Sequence, residues 1–233
     1  MPLLDFIEAA RGDVYLRFYK LIIQKFRQMK IAIIGTGNVG GALAQQLIKA
    51  GHKILMGTKF PLSEKSILLT AKIGEDRFTL IEDAAKQSDV IIITTPPDAV
   101  LHIIPQLGNV DGKTIIDATN SIRVKPEPYP TAYHAIKAIT KSDAVVKCFN
   151  TTGFENMLNP IYNGEGIDMF SAGDNKQAKQ VATKLATDIG FASCFDFGGD
   201  DKVELLEKFA LSWINLAIMQ GHGRDIAFKV VRR

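Results

Sequence analysis

Lys30-Ile-Ala-Ile-Ile-Gly35-Thr-Gly37-Asn-Val-Gly40 sets a G-x-G-x-x-G spacing directly behind an apolar β-branched run and directly ahead of a helix-forming stretch. In that setting each glycine has its own duty: Gly35 permits the tight turn, Gly37 lets a pyrophosphate approach the backbone, and Gly40 allows the helix to pack closely on the strand. The helix start supplies free N–H groups and the positive end of a dipole, which suits phosphate. A chain carrying this turn is committed to a strand-turn-helix unit that opens a parallel sheet.

The rest of the sequence agrees. Short runs rich in Ile and Val at Lys30 to Ile34, Lys53 to Met56, Val90 to Thr95, Thr114 to Ala118 and Val145 to Phe149 read as strands buried on both faces. Val39 to Ala50, Leu62 to Lys72, Glu82 to Gln87, Asp98 to Leu107 and Ala132 to Thr140 supply helices between them. Beyond Asn150 the pattern predicts a strand at Met169 to Ala172, a helix from Asn175 to Ile189, a strand at Ser193 to Phe197 and a long helical region from Asp201. The expected fold is α/β, a Rossmann-type doubly wound parallel sheet with a small C-terminal α/β lobe and an N-terminal amphipathic helix. The corresponding division is 1–28 for the helical extension, 29–150 for the dinucleotide-binding domain and 151–233 for the lobe. The apolar stretch between Phe209 and Phe228 is expected to be buried, within the chain or against a second copy in a homodimer.

The extension rests on Tyr15, Phe18, Tyr19, Ile22 and Phe26 at helical spacing, with Arg17, Lys20, Gln24 and Arg27 on other faces. Asp5, Glu8 and Asp13 dilute its charge and argue against an organelle transit peptide. A formal net charge of +3 over 233 residues, with basic residues dispersed, calls for neither nucleic acid nor an anionic membrane as partner. No run reaches about 18 apolar residues, and a cytoplasmic location is expected. The two cysteines, Cys148 and Cys194, lack metal-ligand spacing and read as buried, reduced thiols, so no metal is expected.

The second strand selects the dinucleotide. An Asp or Glu about 20 residues past the glycines would hold the ribose 2′-OH of NAD, whereas a basic residue favours a 2′-phosphate. The strand here ends Met56-Gly57-Thr58-Lys59, a hydroxyl and an ammonium with no carboxylate, which points to NADP(H).

Gly35 to Gly40, Gly57-Thr-Lys59, Thr95-Pro96, Asp117-Ala-Thr-Asn120, Lys147-Cys-Phe-Asn-Thr-Thr-Gly153 and Ala172-Gly-Asp174 together resemble the NADPH-dependent coenzyme F420 reductase family. The likeness runs from Met29 to the C-terminus, where Leu211-Ser-Trp213, Gly221-His-Gly-Arg and Ala227-Phe-Lys229 are similar to the family's last helices. The family includes bacterial reductases of unassigned acceptor and the reductase domains of six-transmembrane metalloreductases, which use a flavin. The resemblance implies that Thr36, Asn38 and Val39 contact the pyrophosphate, Thr58 and Lys59 the 2′-phosphate, and Thr95 and Pro96 the ribose. It further implies that Asn120, Asn150 and Thr151 lie near the nicotinamide. Where archaeal members tend to carry a histidine-containing segment this chain has Phe149-Asn150-Thr151, closer to the bacterial and metalloreductase branches.

The implied activity is hydride transfer between the nicotinamide and a small redox cofactor, coenzyme F420 or a flavin (FMN or FAD). Such transfer depends on stacking two rings in register, so no acid–base residue is required. The four histidines form no pairing that spacing supports; His222, between Gly221 and Gly223, reads as part of a helix break or, alternatively, as a residue that approaches an acceptor. Two alternatives compete: an NADP(H)-binding redox sensor without turnover, and a reductase of a small carbonyl or imine. For the carbonyl reading, Tyr133 and Lys137 match the Tyr-x-x-x-Lys pair of short-chain dehydrogenases with Ser121 upstream, but the glycine spacing does not fit that family.

Overall fold

The computed structural model describes residues 28–74 and 77–233. Apart from Gln28, the expected N-terminal helix lies outside the described residues.

The chain begins with β1 (Lys30–Ile34), α1 (Asn38–Lys49), β2 (Lys53–Gly57), α2 (Glu64–Ile73), β3 (Phe78–Thr79), α3 (Ile81–Lys86) and β4 (Val90–Ile93). After β4 the expected helix from Asp98 to Leu107 appears as three short pieces. They are a 3₁₀ turn at Pro97–Ala99, α4 (Val100–Ile103) and a second 3₁₀ turn at Ile104–Leu107. Pro105 has no N–H to continue a helical ladder, which accounts for the second break. Next come β5 (Thr114–Asp117), α5 (Ala132–Thr140), β6 (Val145–Cys148) and α6 (Phe154–Leu158). A hairpin of β7 (Ile161–Tyr162) and β8 (Glu165–Gly166) leads into β9 (Asp168–Ala172), α7 (Lys176–Asp188), β10 (Ser193–Asp196) and α8 (Val203–Ile214). A π turn at Asn215–Met219 ends the helical region before Gly221, whose φ of +74° turns the chain away.

The sheet order is β10-β9-β6-β5-β4-β1-β2-β3. All pairings are parallel except β6 with β9. Residues past Asn150 therefore add two strands to the same sheet, and do so after a reversal of direction. Strand alternation sorts the core: Ile31 and Ile33 pack on one face with Leu43, Leu47 and Leu185, while Ala32 and Ile34 pack on the other with Ile81, Val100 and Leu206. Helices cover both faces, and the carboxyl ends of β1, β4, β5 and β6 form one edge. No helix among the described residues is long and apolar enough to cross a membrane.

Candidate functional site

The glycine turn is closed by its neighbours. Gly35 has φ +121°, and its N–H donates to the Gly57 carbonyl at 3.2 Å. Thr94 Oγ1 donates to the Ile34 carbonyl at 3.0 Å and stands 2.7 Å from where a Cβ on either Gly35 or Gly40 would sit. A Cβ on Gly40 would also lie 2.3 Å from the Gly35 carbonyl oxygen, so only hydrogen fits. Gly37 differs: nothing lies within 4 Å of a Cβ built there, and it borders an open hollow. It caps α1 without a side-chain hydrogen bond, and no acidic residue occupies the first turn. The first-turn N–H groups thus face a cavity and suit an anion.

Two hollows meet beside this turn. One, of about 570 Å³, is bordered by Thr36, Gly37, Asn38, Gln45 and Phe154. The other, about 500 Å³, lies between Val39, Pro97, Asn120 and Asn150 on one side and Gly153, Trp213 and Arg224 on the other, and shares Phe154. Along this edge three part-buried or buried polar atoms have no hydrogen-bond partner among the described residues: Thr95 Oγ1, Thr119 Oγ1 and Asn150 Oδ1. They follow β4, β5 and β6, three adjacent strands. An unpartnered buried polar atom costs on the order of 1–3 kcal/mol. Of the three, Asn150 borders the second hollow, and its free oxygen suits a polar ligand such as a dinucleotide.

Asn120 and Asn150 are joined. Asn120 Nδ2 donates to the Asn150 carbonyl at 2.9 Å, and Asn150 Nδ2 donates to Asn120 Oδ1 at 3.0 Å. Thr58 Oγ1, half-buried at the end of β2, accepts the Phe60 N–H at 3.3 Å, and Lys59 beside it is exposed. Pro96 is exposed at the start of the first 3₁₀ turn. Thr151 falls elsewhere: its side chain is buried and its hydroxyl donates to Met169 Sδ at 3.5 Å, so it does not border the hollow, whereas Thr152 does. His222 is exposed and is not among the lining residues.

The far wall escaped the sequence reading. Arg224 forms a forked pair with Glu155, Nε to Oε1 at 2.5 Å and Nη2 to Oε2 at 3.0 Å, and its guanidinium lies over the rings of Phe154 and Trp213. Burial opposes ionisation of Glu155, but Arg224 outweighs it and holds the carboxyl below its usual range. A Cβ on Gly153 would fall 2.7 Å from the Trp213 ring, which is why the chain has glycine there. Only spatial convergence joins these residues, which are up to 71 positions apart in sequence.

Tyr133 and Lys137 do not form a proton-transfer pair facing a substrate. Tyr133 is fully buried, its hydroxyl donates to Asp200 Oδ1 at 2.5 Å, and Lys137 Nζ reaches Asp200 Oδ2 at 2.5 Å. Burial first, then the Asp200 carboxylate, push the Tyr133 phenol far above its usual value. Ser121 Oγ instead accepts the Ala132 N–H. Among the described residues no group of three acidic, His or Cys side chains is arranged to hold a metal.

Residues 30–121 match the family described as NADP oxidoreductase coenzyme F420-dependent. The F420-dependent NADP reductase of Methanocaldococcus jannaschii is 29% identical over 209 residues, covering 82% of this chain and 93% of that protein. Mouse metalloreductase STEAP2 is 22% identical over 201 residues, 83% of this chain but 38% of that protein. A candidate F420-dependent NADP reductase of Arthrobacter sp. FB24 shares the fold, with a TM-score of 0.76 at 24% identity over 88% of this chain and 100% of that one. The chain thus resembles the NADP oxidoreductase, coenzyme F420-dependent family through its dinucleotide-binding segment, and relatives at 29% identity or below align over most of its length.

Proposed function

We propose that this chain is a reductase that moves a hydride between NADP(H) and a planar flavin or deazaflavin acceptor, coenzyme F420, FMN or FAD. The observation that carries the reading is the pair of hollows sharing Phe154, one at the glycine turn and one at the Asn120–Asn150 pair, where Asn150 Oδ1 has no partner among the described residues. In this reading residues 29–150 hold the dinucleotide and residues 151–233 supply the second wall of the acceptor hollow.

When bound, the nicotinamide supplies or accepts the hydride at its C4. Gly37 and the first-turn N–H groups of α1 hold the pyrophosphate, with Thr36, Asn38 and Val39 around it. Thr58 and Lys59 hold the 2′-phosphate, the latter as a mobile point charge. Thr95, with Pro96 beside it, offers a hydroxyl to the ribose. Asn120 and Asn150 set the polar floor beneath the nicotinamide, and Trp213 with its apolar neighbours excludes water. No side-chain acid or base is assigned, since the work is positioning. Thr151 serves the reading only as the buried peg that anchors Asn150 to β9.

The test is a fluorescence titration with NADPH and NADH, followed by F420, FMN or FAD added to the saturated protein while nicotinamide absorbance is followed. Tight NADPH binding with rapid oxidation by one acceptor is expected. Lys59→Asp is expected to weaken NADPH by about tenfold or more and spare NADH. Tight binding without oxidation by any acceptor would replace this proposal with the sensor reading.

A further inference from the structure

Lys147 lies in the middle of an apolar strand with its side chain fully buried, three positions before Asn150. Its Nζ donates to Asp117 Oδ2 at 2.9 Å and to Glu207 Oε1 at 2.6 Å. Each carboxylate then uses its other oxygen on the backbone of the loop that follows β5. Asp117 Oδ1 accepts the Thr119 N–H at 2.9 Å, and Glu207 Oε2 accepts the Ser121 N–H at 2.9 Å. The two peptide N–H groups on either side of Asn120 are therefore held by two carboxylates, and one ammonium ties both carboxylates to β6.

Burial works against the Lys147 charge, but the two carboxylates prevail and keep its ammonium above the usual range. Glu207 is pushed up by burial, with Asp117 adding to it, because one ammonium serves two anions. Stability alone does not call for this: buried ion clusters are commonly matched by apolar residues of similar volume. What the cluster adds is direction. It fixes where Asn120 stands relative to Asn150, and the two amides then order each other: Asn120 Nδ2 is spent on the Asn150 carbonyl and Asn150 Nδ2 on Asn120 Oδ1. Asn150 Oδ1 is left as an acceptor with no partner among the described residues, on a side chain that borders the acceptor hollow. Glu207 also lies one helical turn before Leu211, which borders the same hollow from α8.

We propose that Asp117, Lys147 and Glu207 are positioning residues for hydride transfer, fixing the Asn120–Asn150 pair so that Asn150 Oδ1 receives the carboxamide N–H of the nicotinamide. The inference rests on the proposed reductase reading, but its first test does not need turnover. NADP⁺ is compared with adenosine 2′,5′-bisphosphate, which carries the 2′-phosphate and lacks the nicotinamide. Glu207→Gln keeps an amide oxygen for the Ser121 N–H and removes the charge facing Lys147.

The expected result is that Glu207→Gln and Asn150→Ala each weaken NADP⁺ by about fivefold or more, as loss of one buried hydrogen bond implies, and leave the bisphosphate within about twofold. The double variant is expected to lose little beyond Asn150→Ala, since both act on one contact. With an acceptor that oxidises NADPH, Glu207→Gln should lower kcat more than it raises KM. Lys147→Met should go further, and if it fails to fold, Glu207→Gln carries the test. Equal weakening of NADP⁺ and bisphosphate, or additive losses in the double variant, would overturn the inference. Wild-type protein that binds NADP⁺ with the expected contrast but reduces no acceptor would overturn the reductase reading instead.

Discussion

Tyr133 and Asp200, 67 positions apart, are bound through the Tyr133 hydroxyl and Asp200 Oδ1 at 2.5 Å, and this contact fastens α5 to the turn that precedes α8. Asp200 also accepts the Asp174 N–H and pairs with Lys137, so one carboxylate gathers three segments. Tyr133→Phe is therefore expected to cost about 1.5–3 kcal/mol of stability, the value of a hydrogen bond to a charged group, and to leave hydride transfer unchanged. Thermal unfolding and a turnover assay on the same preparation check it. A collapse of turnover with an unshifted melting temperature would restore Tyr133 as a proton donor.

The glycine turn makes a sharper prediction because its glycines serve different masters. Gly40→Ala would drive a Cβ against the Gly35 carbonyl and Thr94 Oγ1, so it should destabilise the fold by about 1–3 kcal/mol as an overpacked core site. Gly37→Ala meets no protein atom within 4 Å and should leave stability within about 0.5 kcal/mol, yet weaken NADPH about tenfold or more by blocking the pyrophosphate. Denaturant unfolding and nucleotide titration of both variants separate the two roles. If Gly37→Ala binds NADPH like wild type, the turn is not the phosphate seat.

A pH dependence follows from His52. The ring is buried, its Nδ1 accepts the Met29 N–H at 3.1 Å, and its Nε2 meets Asp188 Oδ2 at 3.0 Å. Burial lowers its pKa more than the Asp188 hydrogen bond and charge raise it. The folded protein thus takes up this proton less readily than the unfolded chain, whose histidine titrates at about 6.5. The contribution is full above that value and is lost as the pH falls from there through the lower folded pKa. Melting temperatures from about pH 8 to pH 5 should decline more steeply for wild type than for His52→Gln, which is less stable at the alkaline end. Parallel curves would show that the slope originates elsewhere.

Cys148 and Cys194 bring their sulfurs to 4.0 Å, but they belong to β6 and β10, with β9 between them. Two strand spacings of about 4.8 Å put their Cα atoms well beyond the roughly 7 Å that a disulfide tolerates. Cys148 is buried and Cys194 only partly so, a difference from the expectation that both are buried. Mild oxidation with diamide should therefore give no intramolecular crosslink, and a thiol reagent should modify Cys194 before Cys148. Mass spectrometry of the oxidised protein that found the pair joined would mean β9 can leave the sheet.

Local chemistry was legible in the chain itself. The spacing of Gly35, Gly37 and Gly40 fixed a βα turn, since it reflects contacts made within a few residues. The apolar runs that became β1, β4, β5 and β6 were visible because strands buried on both faces cannot accommodate polar alternation. Thr131 and Asn175 cap their helices as short polar residues ahead of helical runs. The Thr58–Lys59 pair at the end of β2 is local in the same sense.

What the tertiary structure alone decided depends on residues that sequence distance keeps apart. Phe78–Thr79 is too short to show a strand period, and β2 pairs with it only because the sheet edge is there. Lys147 reads as an exception in an apolar run until Asp117 and Glu207, 30 and 60 positions away, arrive to neutralise it. Tyr133 and Lys137 carry the spacing of a catalytic pair, and only the fold shows Asp200 consuming both. The sequence determined the turn, the layers and the polar residues at the strand ends, because those follow from steric and periodic rules that act over a few residues. The fold decided which of those polar groups are spent on each other and which, like Asn150 Oδ1, have no partner among the described residues, because hydrogen-bond partners are assigned by proximity in space.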